Sequence, residues 1–425
     1  MTVPTRRFAD KREAILDGAA RLFNEHGVRG GMLSDVAQQV GLATNSLTYY
    51  YRKKEDLAAA CLLRSMDALG ATADAAARAD TLHGRVQGFL DAYVGLLVDI
   101  DQGRHAELIV FSDVLTLGPP HHRALATAYT QMFRRVRTLL DAPDAPPVSA
   151  AARNARAHLL LSTTTWARAW LRRYESNDYP RVAGRLGDLL LQGVCAAGHE
   201  PAPDRRAPSL AGALDDGDTR NAYLCAATRL VNDHGYHGAS VDRIAAALQL
   251  TKGSFYHHHE TKEELIAACF ERTFAVVRAA QTAALDAPGR NGASRLAQAC
   301  HALLDFQLSA SGPLLRITAW TGLPDALRSD MRRTLSRLGE RFAMLVIDGM
   351  ADGSLRIVDP SIAARVINGM INAVAEIERW VPGIDASNAF GLYARPLFTG
   401  LLSAGDARAE PATSSPRSRR SKALP

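Results

Sequence analysis

The apolar positions of the chain recur at helical spacing, and in residues 240–259 (SVDRIAAALQLTKGSFYHHH) they describe two short helices joined by a tight turn. Val241, Ile244 and Leu248 share one face of the first helix, and Phe255 begins the second. Around its inward residues the second helix carries hydroxyl, ammonium, phenol and imidazole groups. Such groups can contact the phosphates and base edges of duplex DNA, so the pattern is typical of a recognition helix.

The same pattern occurs once before, at residues 32–51. An ungapped match at an offset of 208 residues covers residues 14–61. A match of this length at so long a period indicates a repeated domain rather than compositional bias. The matched identities include Leu16 with Leu224, Asn24 with Asn232, Gly27 with Gly235, Ala37 with Ala245, Ser46 with Ser254, and Lys54 with Lys262.

Helices account for the rest of the apolar periodicity, and no alternation of strand type occurs. In the first copy we predict helices over residues 10–26, 32–39 and 44–51, with Gly41 in the tight turn. Gly, Pro and Asp breaks separate six further helices in each half. These are predicted at 55–78, 82–100, 105–116, 121–141, 150–174 and 180–197 in the first half, and at 262–285, 294–310, 313–321, 325–351, 360–380 and 387–402 in the second.

The sequence therefore predicts an all-α chain of two similar units, each a three-helix helix-turn-helix head followed by a helical body. Residues 198–217 are rich in Pro, Ala, Gly and charge, which favours a linker between the units. The composition of residues 406–425 predicts a disordered basic tail. The predicted boundaries are head 1–60, body 61–197, linker 198–217, head 218–270, body 271–405 and tail 406–425.

Composition places the chain among ordinary globular proteins, because 47% of its 425 residues are hydrophobic and 22% are charged. No stretch is long and apolar enough for a membrane span, and the N-terminus lacks the apolar segment of a signal peptide. We therefore expect a cytoplasmic protein without a membrane partner. The five cysteines occur singly, which favours small core residues over a zinc site or a disulfide framework.

The basic charge is distributed unequally between the two heads. The net charge of the chain is +6. Residues 1–60 hold nine Lys and Arg against seven Asp and Glu, whereas residues 218–270 hold five against six. Because phosphate neutralisation dominates affinity for DNA, we expect the first head to bind the DNA backbone more strongly.

Residues 22–57 (LFNEHGVRGGMLSDVAQQVGLATNSLTYYYRKKEDL) resemble the DNA-binding head of TetR-family repressors, and residues 230–265 resemble it again. The second copy matches the family better at its recognition helix, although Gln249 replaces the usual turn glycine and His259 a phenylalanine. The resemblance implies DNA-facing positions at Thr44, Asn45, Ser46, Thr48, Tyr49, Tyr50 and Lys54 in the first head, and at Ser240, Thr251, Lys252, Gly253, Ser254, Tyr256, His257, His258 and Lys262 in the second.

The two recognition helices, ATNSLTYYY and TKGSFYHHH, differ at nearly every outward position, so we expect them to read different bases. In the family, two identical chains pair through their last two helices. By this resemblance, helices 151–174 and 180–197 would pack on 361–380 and 388–402. We therefore expect an intramolecular pseudo-dimer that reads an asymmetric operator, and a ligand-responsive repressor as its function.

Candidate effector residues are Trp166, Trp170 and Trp320, which could line a pocket for a small apolar effector or could simply be core and interface residues. The three consecutive histidines 257–259 point about 100° apart on a helix, so they cannot converge on one metal ion. No phosphate-binding loop, nucleophile motif or carboxylate pair stands out. We therefore expect no metal, no cofactor and no catalysis.

The sequence leaves three alternatives to this predicted pseudo-dimeric repressor. Two tandem chains could form a homodimer with four heads. The acidic balance of residues 218–270 suggests a binding or scaffold protein in which only one head still binds DNA. An enzyme is the third alternative, which turnover of a bound ligand would support.

Overall fold

The computed structural model of the chain describes residues 6–111, 117–200, 203, 210, 219–247, 261–317, 323 and 325–404. The regular elements of these residues are helices, which confirms the all-α prediction, and their β contact is one isolated antiparallel bridge between Cys195 and Leu355. None of their helices has the length and hydropathy to cross a membrane. The predicted linker is described only at residues 198–200, 203 and 210, and the predicted tail lies outside the described residues.

The first unit contains eight α-helices within the described residues. Gly27 interrupts the first of them with φ 71° and ψ 162°, at the position where the sequence predicted a helix end, and Gly235 repeats this break with φ 70°. The helices are α1 (Arg6–Gly30), α2 (Leu33–Gln39), α3 (Thr44–Tyr50), α4 (Lys54–Ala76), α5 (Leu82–Asp101), α6 (His121–Thr138), α7 (Ala150–Leu171) and α8 (Tyr179–Gln192).

The described part of the second unit follows the same plan. The predicted helices 262–285 and 325–351 match the structure, whereas the predicted helices 360–380 and 387–402 are divided by 3-10 and π turns. The elements are α9 (Thr219–Gly238), α10 (Val241–Ala247), α11 (Lys262–Leu285), α12 (Gly292–Leu308), α13 (Asp325–Ala351), α14 (Pro360–Ala373), a 3-10 turn (Val374–Arg379), a π turn (Phe390–Ala394) and α15 (Arg395–Thr399).

The predicted helices at 105–116 and 313–321 are wrong over their described residues. Residues 106–111, here called the first strap, and residues 312–317, the second strap, form no α-helix, and residues 106–110 and 312–316 have no regular secondary structure. Leu108 and Ile109 are buried and gave the segment its helical appearance. Their backbone groups bond to side chains of other helices instead of to one another.

An asparagine holds each strap to the first helix of its head. Asn24 donates from Nδ2 to the Leu108 carbonyl at 2.8 Å, and its Oδ1 accepts from the Val110 N–H at 2.8 Å. Asn232, the matched residue of the second unit, bonds in the same way to Leu314 and Arg316, both at 2.9 Å. Each strap therefore connects its head to its body through the matched asparagine, Asn24 in the first unit and Asn232 in the second.

The two units pack together through α7 and α8 of the first and α14, the π turn and α15 of the second. The contact is reciprocal at its centre. The N–H of Val194 donates to the Leu397 carbonyl at 3.1 Å, and the N–H of Leu401 donates to the Leu190 carbonyl at 2.9 Å. Such reciprocal hydrogen bonding is typical of an interface with two-fold symmetry. The pairing predicted for these helices is thus present within one chain.

Candidate nucleic-acid interface

The recognition helix of the first head, α3, is held on α2 by Leu47, which is fully buried together with Val36. Gly41 makes the turn between them with φ 64°, a conformation that favours glycine. This packing leaves the opposite face of α3 in solvent. The polar side chains Thr44, Asn45 and Ser46 are exposed there, as the sequence predicted for a DNA-reading face.

An aromatic cluster closes the C-terminal end of this face. Tyr50 is half-buried, and its ring stacks on Phe8 with centroids 4.8 Å apart and planes inclined by 25°. Tyr49 touches Phe8 edge-on at 6.4 Å and stays 78% exposed. Of the two predicted contact tyrosines, Tyr49 is therefore exposed to solvent, whereas Tyr50 mainly packs in the aromatic cluster.

Sequence reasoning missed Phe8 because it lies before residue 10, where the first helix was expected to begin. Its spacing of seven residues from Ile15, on the buried face of α1, could have revealed it. Arg52 and Lys53 were also not selected. Both are exposed directly after α3, so they add positive charge beside the reading face.

Thr48 and the two matched lysines make local contacts. The Thr48 hydroxyl donates to the Asn45 carbonyl at 2.8 Å, which closes the turn of α3. Lys54 donates to the Gly31 carbonyl at 3.4 Å, and Lys262 donates to the Tyr236 carbonyl at 2.5 Å. Both ammonium groups thus bond to the segment between the glycine break in the first helix, Gly27 or Gly235, and the second helix of the head.

The second head is described only in part. Ser240 is exposed, and its Oγ accepts from the Arg243 N–H at 3.3 Å at the start of α10. Tyr236 donates from its hydroxyl to Glu263 at 2.5 Å, and this bond lowers the pKa of the Glu263 carboxyl. The other predicted contacts, Thr251, Lys252, Gly253, Ser254, Tyr256, His257 and His258, lie outside the described residues.

A buried carboxylate connects the first head to the unit interface. Glu107 of the first strap, 3% exposed, accepts a hydrogen bond from Arg168 of α7. Its carboxylate lies 3.7 Å from Arg21 of α1, and its backbone N–H donates to Asp17 of α1 at 2.6 Å. Helix α1 of the head and helix α7 of the interface therefore share one ionic centre.

The structure places Trp166 and Trp170 at a cavity and at the packing of the two units. Both line a cavity of about 560 Å³ between α7 of the first unit and α13 and α14 of the second. Trp166 is also an interface residue, because a Cβ on Gly369 of α14 would lie 2.8 Å from its ring. Trp320 lies outside the described residues. In the described part of the chain no group of His, Cys, Asp and Glu is suited to hold a metal ion.

Comparison with known protein families matches three segments of the chain. The family described as bacterial regulatory proteins, tetR family, matches residues 15–61 and again residues 224–269. A tetracyclin repressor-like C-terminal domain matches residues 289–380. The two N-terminal matches coincide with the two heads.

Individual proteins are similar to parts of the chain. The transposon Tn10 TetC protein of Escherichia coli is 24% identical over 158 residues, which cover 37% of this chain and 78% of that protein. The HTH-type transcriptional repressor DhaR of Mycobacterium sp. (strain GP1) is 27% identical over 131 residues, 30% of this chain and 66% of the repressor. The crystal structure of the TetR-family regulator PfmR from Thermus thermophilus is 19% identical, with a TM-score of 0.34, over 44% of this chain and 96% of that one.

Proposed function

The chain belongs to the tetR family of bacterial regulatory proteins, with two N-terminal domains of that family in one polypeptide, and on this premise we propose that it is a cytoplasmic repressor that binds an asymmetric operator. The observation that carries the proposal is the exposed polar face of α3. Leu47 anchors this helix in the core of the head, whereas the side chains of Asn45 and Tyr49 are exposed to solvent. Side chains presented in this way suit the major groove.

The asymmetry of the operator follows from the two unlike recognition sequences. Each good bidentate contact to a base contributes about 1 to 3 kcal/mol of discrimination, so ATNSLTYYY and TKGSFYHHH would select different half-sites. The packing of the two units within one chain supports a fixed spacing between the heads. Because the second head is tethered, its binding would also not depend on the concentration of a partner chain.

Release by a small effector is the second part of the proposal. The cavity beside Trp166 and Trp170 supports it, because its volume lies within the range of ligand pockets, about 300 to 1,000 Å³. Two residues of the first head and its strap, Asn24 and Val110, also line this cavity. An occupant would thus touch the connection between head and body.

The test is the selection of binding sites from random duplexes, followed by affinity measurements at one fixed salt concentration. We expect two unlike half-sites about one helical turn apart. Asn45→Ala and Tyr49→Ala should each weaken binding about tenfold on the selected site. Gln131→Ala, an exposed change on α6, should leave the affinity unchanged. A perfect palindrome, or full affinity in both head variants, would exclude the proposed reading of DNA.

One alternative is favoured by the charge of the second head, which holds five Lys and Arg against six Asp and Glu. In that case the protein would be a binding or scaffold protein in which only the first head binds DNA. Lys252→Ala and Tyr256→Ala distinguish the two. Unchanged operator affinity in both variants supports the alternative, and a loss in either supports two reading heads.

A further inference from the structure

The cavity between the two units has a strongly cationic lining. Its described walls contain five arginines and one glutamate, Glu340. The guanidinium groups come from both units, so the charge arises only when the units pack together. The five arginines are Arg168, Arg172 and Arg173 of the first unit and Arg332 and Arg365 of the second.

The charges are close to an aromatic surface. The guanidinium carbon of Arg365 lies 5.6 Å from the centroid of the Trp170 ring, a cation–π distance. Burial lowers the pKa of Arg365, and the neighbouring Arg173 lowers it further. Tyr174 and Glu340 oppose part of this shift, but the pKa remains lowered, so an added anion would stabilise the charged guanidinium.

We propose that this cavity binds one amphipathic organic anion per chain, with its acidic group on the arginines and its apolar part against Trp166, Leu335 and Ala343. Guanidinium groups suit carboxylates, sulfonates and phosphates, which they bind with two parallel hydrogen bonds. A purely apolar effector, as the tryptophans alone suggested, would offer these arginines no acceptor of its own. The inference deepens the effector part of the proposed function and rests on it only for its regulatory meaning.

The corresponding place on the other side of the interface holds a smaller cavity of about 460 Å³, whose lining includes three carboxylates, Asp233, Glu376 and Glu378, beside three arginines, Arg229, Arg316 and Arg379. There Trp380 of the second unit stacks on Phe133 of α6, with centroids 4.1 Å apart and planes inclined by 26°. Tyr129 packs on the same ring at 5.5 Å. The two sides of the interface are therefore unequal, and we expect one ligand per chain rather than two.

The site also overlaps the ionic centre of the first head. Arg168 and Arg172 line the cavity, and both face Glu107 of the first strap. An anion in the cavity would compete with Glu107 for these two side chains. The position of Glu107 is taken by Pro313 in the second strap, since Asn24 and Asn232 align residues 108 and 314. Ligand binding would thus act on the first head alone.

The experiment uses two fluorescent probes with the same rings and different charge. These are 8-anilino-1-naphthalenesulfonate, which is an anion, and N-phenyl-1-naphthylamine, which is neutral. We expect the sulfonate to bind the full chain with a stoichiometry of one. In the double variant Arg332→Gln/Arg365→Gln its affinity should fall at least about tenfold, because two charged hydrogen-bond donors are lost. The affinity of the neutral probe should change less than about twofold, since it makes no such bond.

Two further variants keep the result interpretable. Arg333→Gln removes a charge from the exposed side of the same helix and should change neither affinity. Arg332→Lys retains the charge and should retain most of the sulfonate binding, which excludes general loss of the fold. Equal losses of both probes, a stoichiometry of two, or full sulfonate affinity in the double variant would overturn the proposal. Because the assay contains no DNA, its outcome is independent of whether the heads read an operator.

Discussion

Gly193 and Gly400 approach each other across the interface so closely that a Cβ atom on Gly193 would lie 2.5 Å from the Gly400 backbone nitrogen. The same atom would lie 2.3 Å from the Phe398 carbonyl oxygen, and a Cβ on Gly400 would lie 2.2 Å from the Leu191 carbonyl oxygen. Each glycine ends the last helix of its unit with a positive φ, 73° and 85°. The two units can therefore exchange backbone hydrogen bonds only where both side chains are absent.

Gly193→Ala should destabilise the interface in two ways. The positive φ costs about 1 to 2 kcal/mol for a residue with a Cβ, and the forced separation of the backbones adds about 1 to 3 kcal/mol. The midpoint of urea unfolding measures the sum. Gly103→Ala is the matched control, because Gly103 has φ 71° and no atom lies within 4 Å of the place that its Cβ would take. Equal losses in both variants would show that the close approach contributes nothing.

The straps give a reciprocal pair of variants. Asn24→Ala removes both bonds that fix the first strap, and each unsatisfied backbone group costs about 1 to 3 kcal/mol where it is buried. We expect faster amide hydrogen exchange in residues 106–111 and unchanged exchange in residues 312–317. Asn232→Ala should produce the opposite pattern. Acceleration of both straps by either variant would contradict the view that each asparagine acts within its own unit.

These straps show where sequence reasoning reaches its limit. Helices 262–285 and 325–351 were predictable because their apolar faces are periodic, and Thr261 also caps the first of them. The first strap also contains consecutive apolar residues, but its amides bond to Asn24 and Ser65, which lie more than forty residues away. No local rule contains that information. Burial alone made the segment look helical.

The two candidate sites also differ in how many of their residues could be predicted from the sequence. The exposed face of α3 was predictable, because a recognition helix is defined by residues close in sequence. Only Trp166 and Trp170 of the cavity could be selected, since its arginines lie on three helices from both units and in the turn after α7. Arg365 and Trp170 are 195 residues apart and meet only through the packing of the two units. Their joint chemistry is a property of the tertiary structure.

The interface should weaken at acidic pH because of His158. This side chain is buried against the Tyr393 hydroxyl at 3.1 Å, and burial lowers its pKa from 6.5 to about 4, although the charge of Glu376 opposes the shift. Between these two values the unfolded chain binds a proton that the folded chain excludes. The contribution of His158 to stability is therefore constant above about pH 6.5 and falls towards pH 4, by at most about 3 kcal/mol.

Denaturant unfolding at about pH 7.5, 5.5 and 4.5 measures the effect across this window. His158→Gln keeps a polar partner for Tyr393 without a titrating group, so its stability should depend less on pH. His83→Gln, an exposed histidine of α5, should retain the dependence of the unchanged protein. If His158→Gln and the unchanged protein lose the same free energy over this range, the dependence arises elsewhere.

Glu107→Gln tests whether the buried ionic centre acts on the first head only. The variant leaves the Arg168 guanidinium, 11% exposed, without its carboxylate, and breaking a buried pair in this way costs about 3 to 5 kcal/mol. Because the same centre holds α1 through Arg21, we expect weaker binding to the half-site read by the first head and unchanged binding to the other. Glu378→Gln removes the same charge at an exposed position and should alter the affinity for neither half-site. Equal weakening on both half-sites would mean that Glu107 supports the whole fold, since Pro313 gives the second head no corresponding carboxylate to lose.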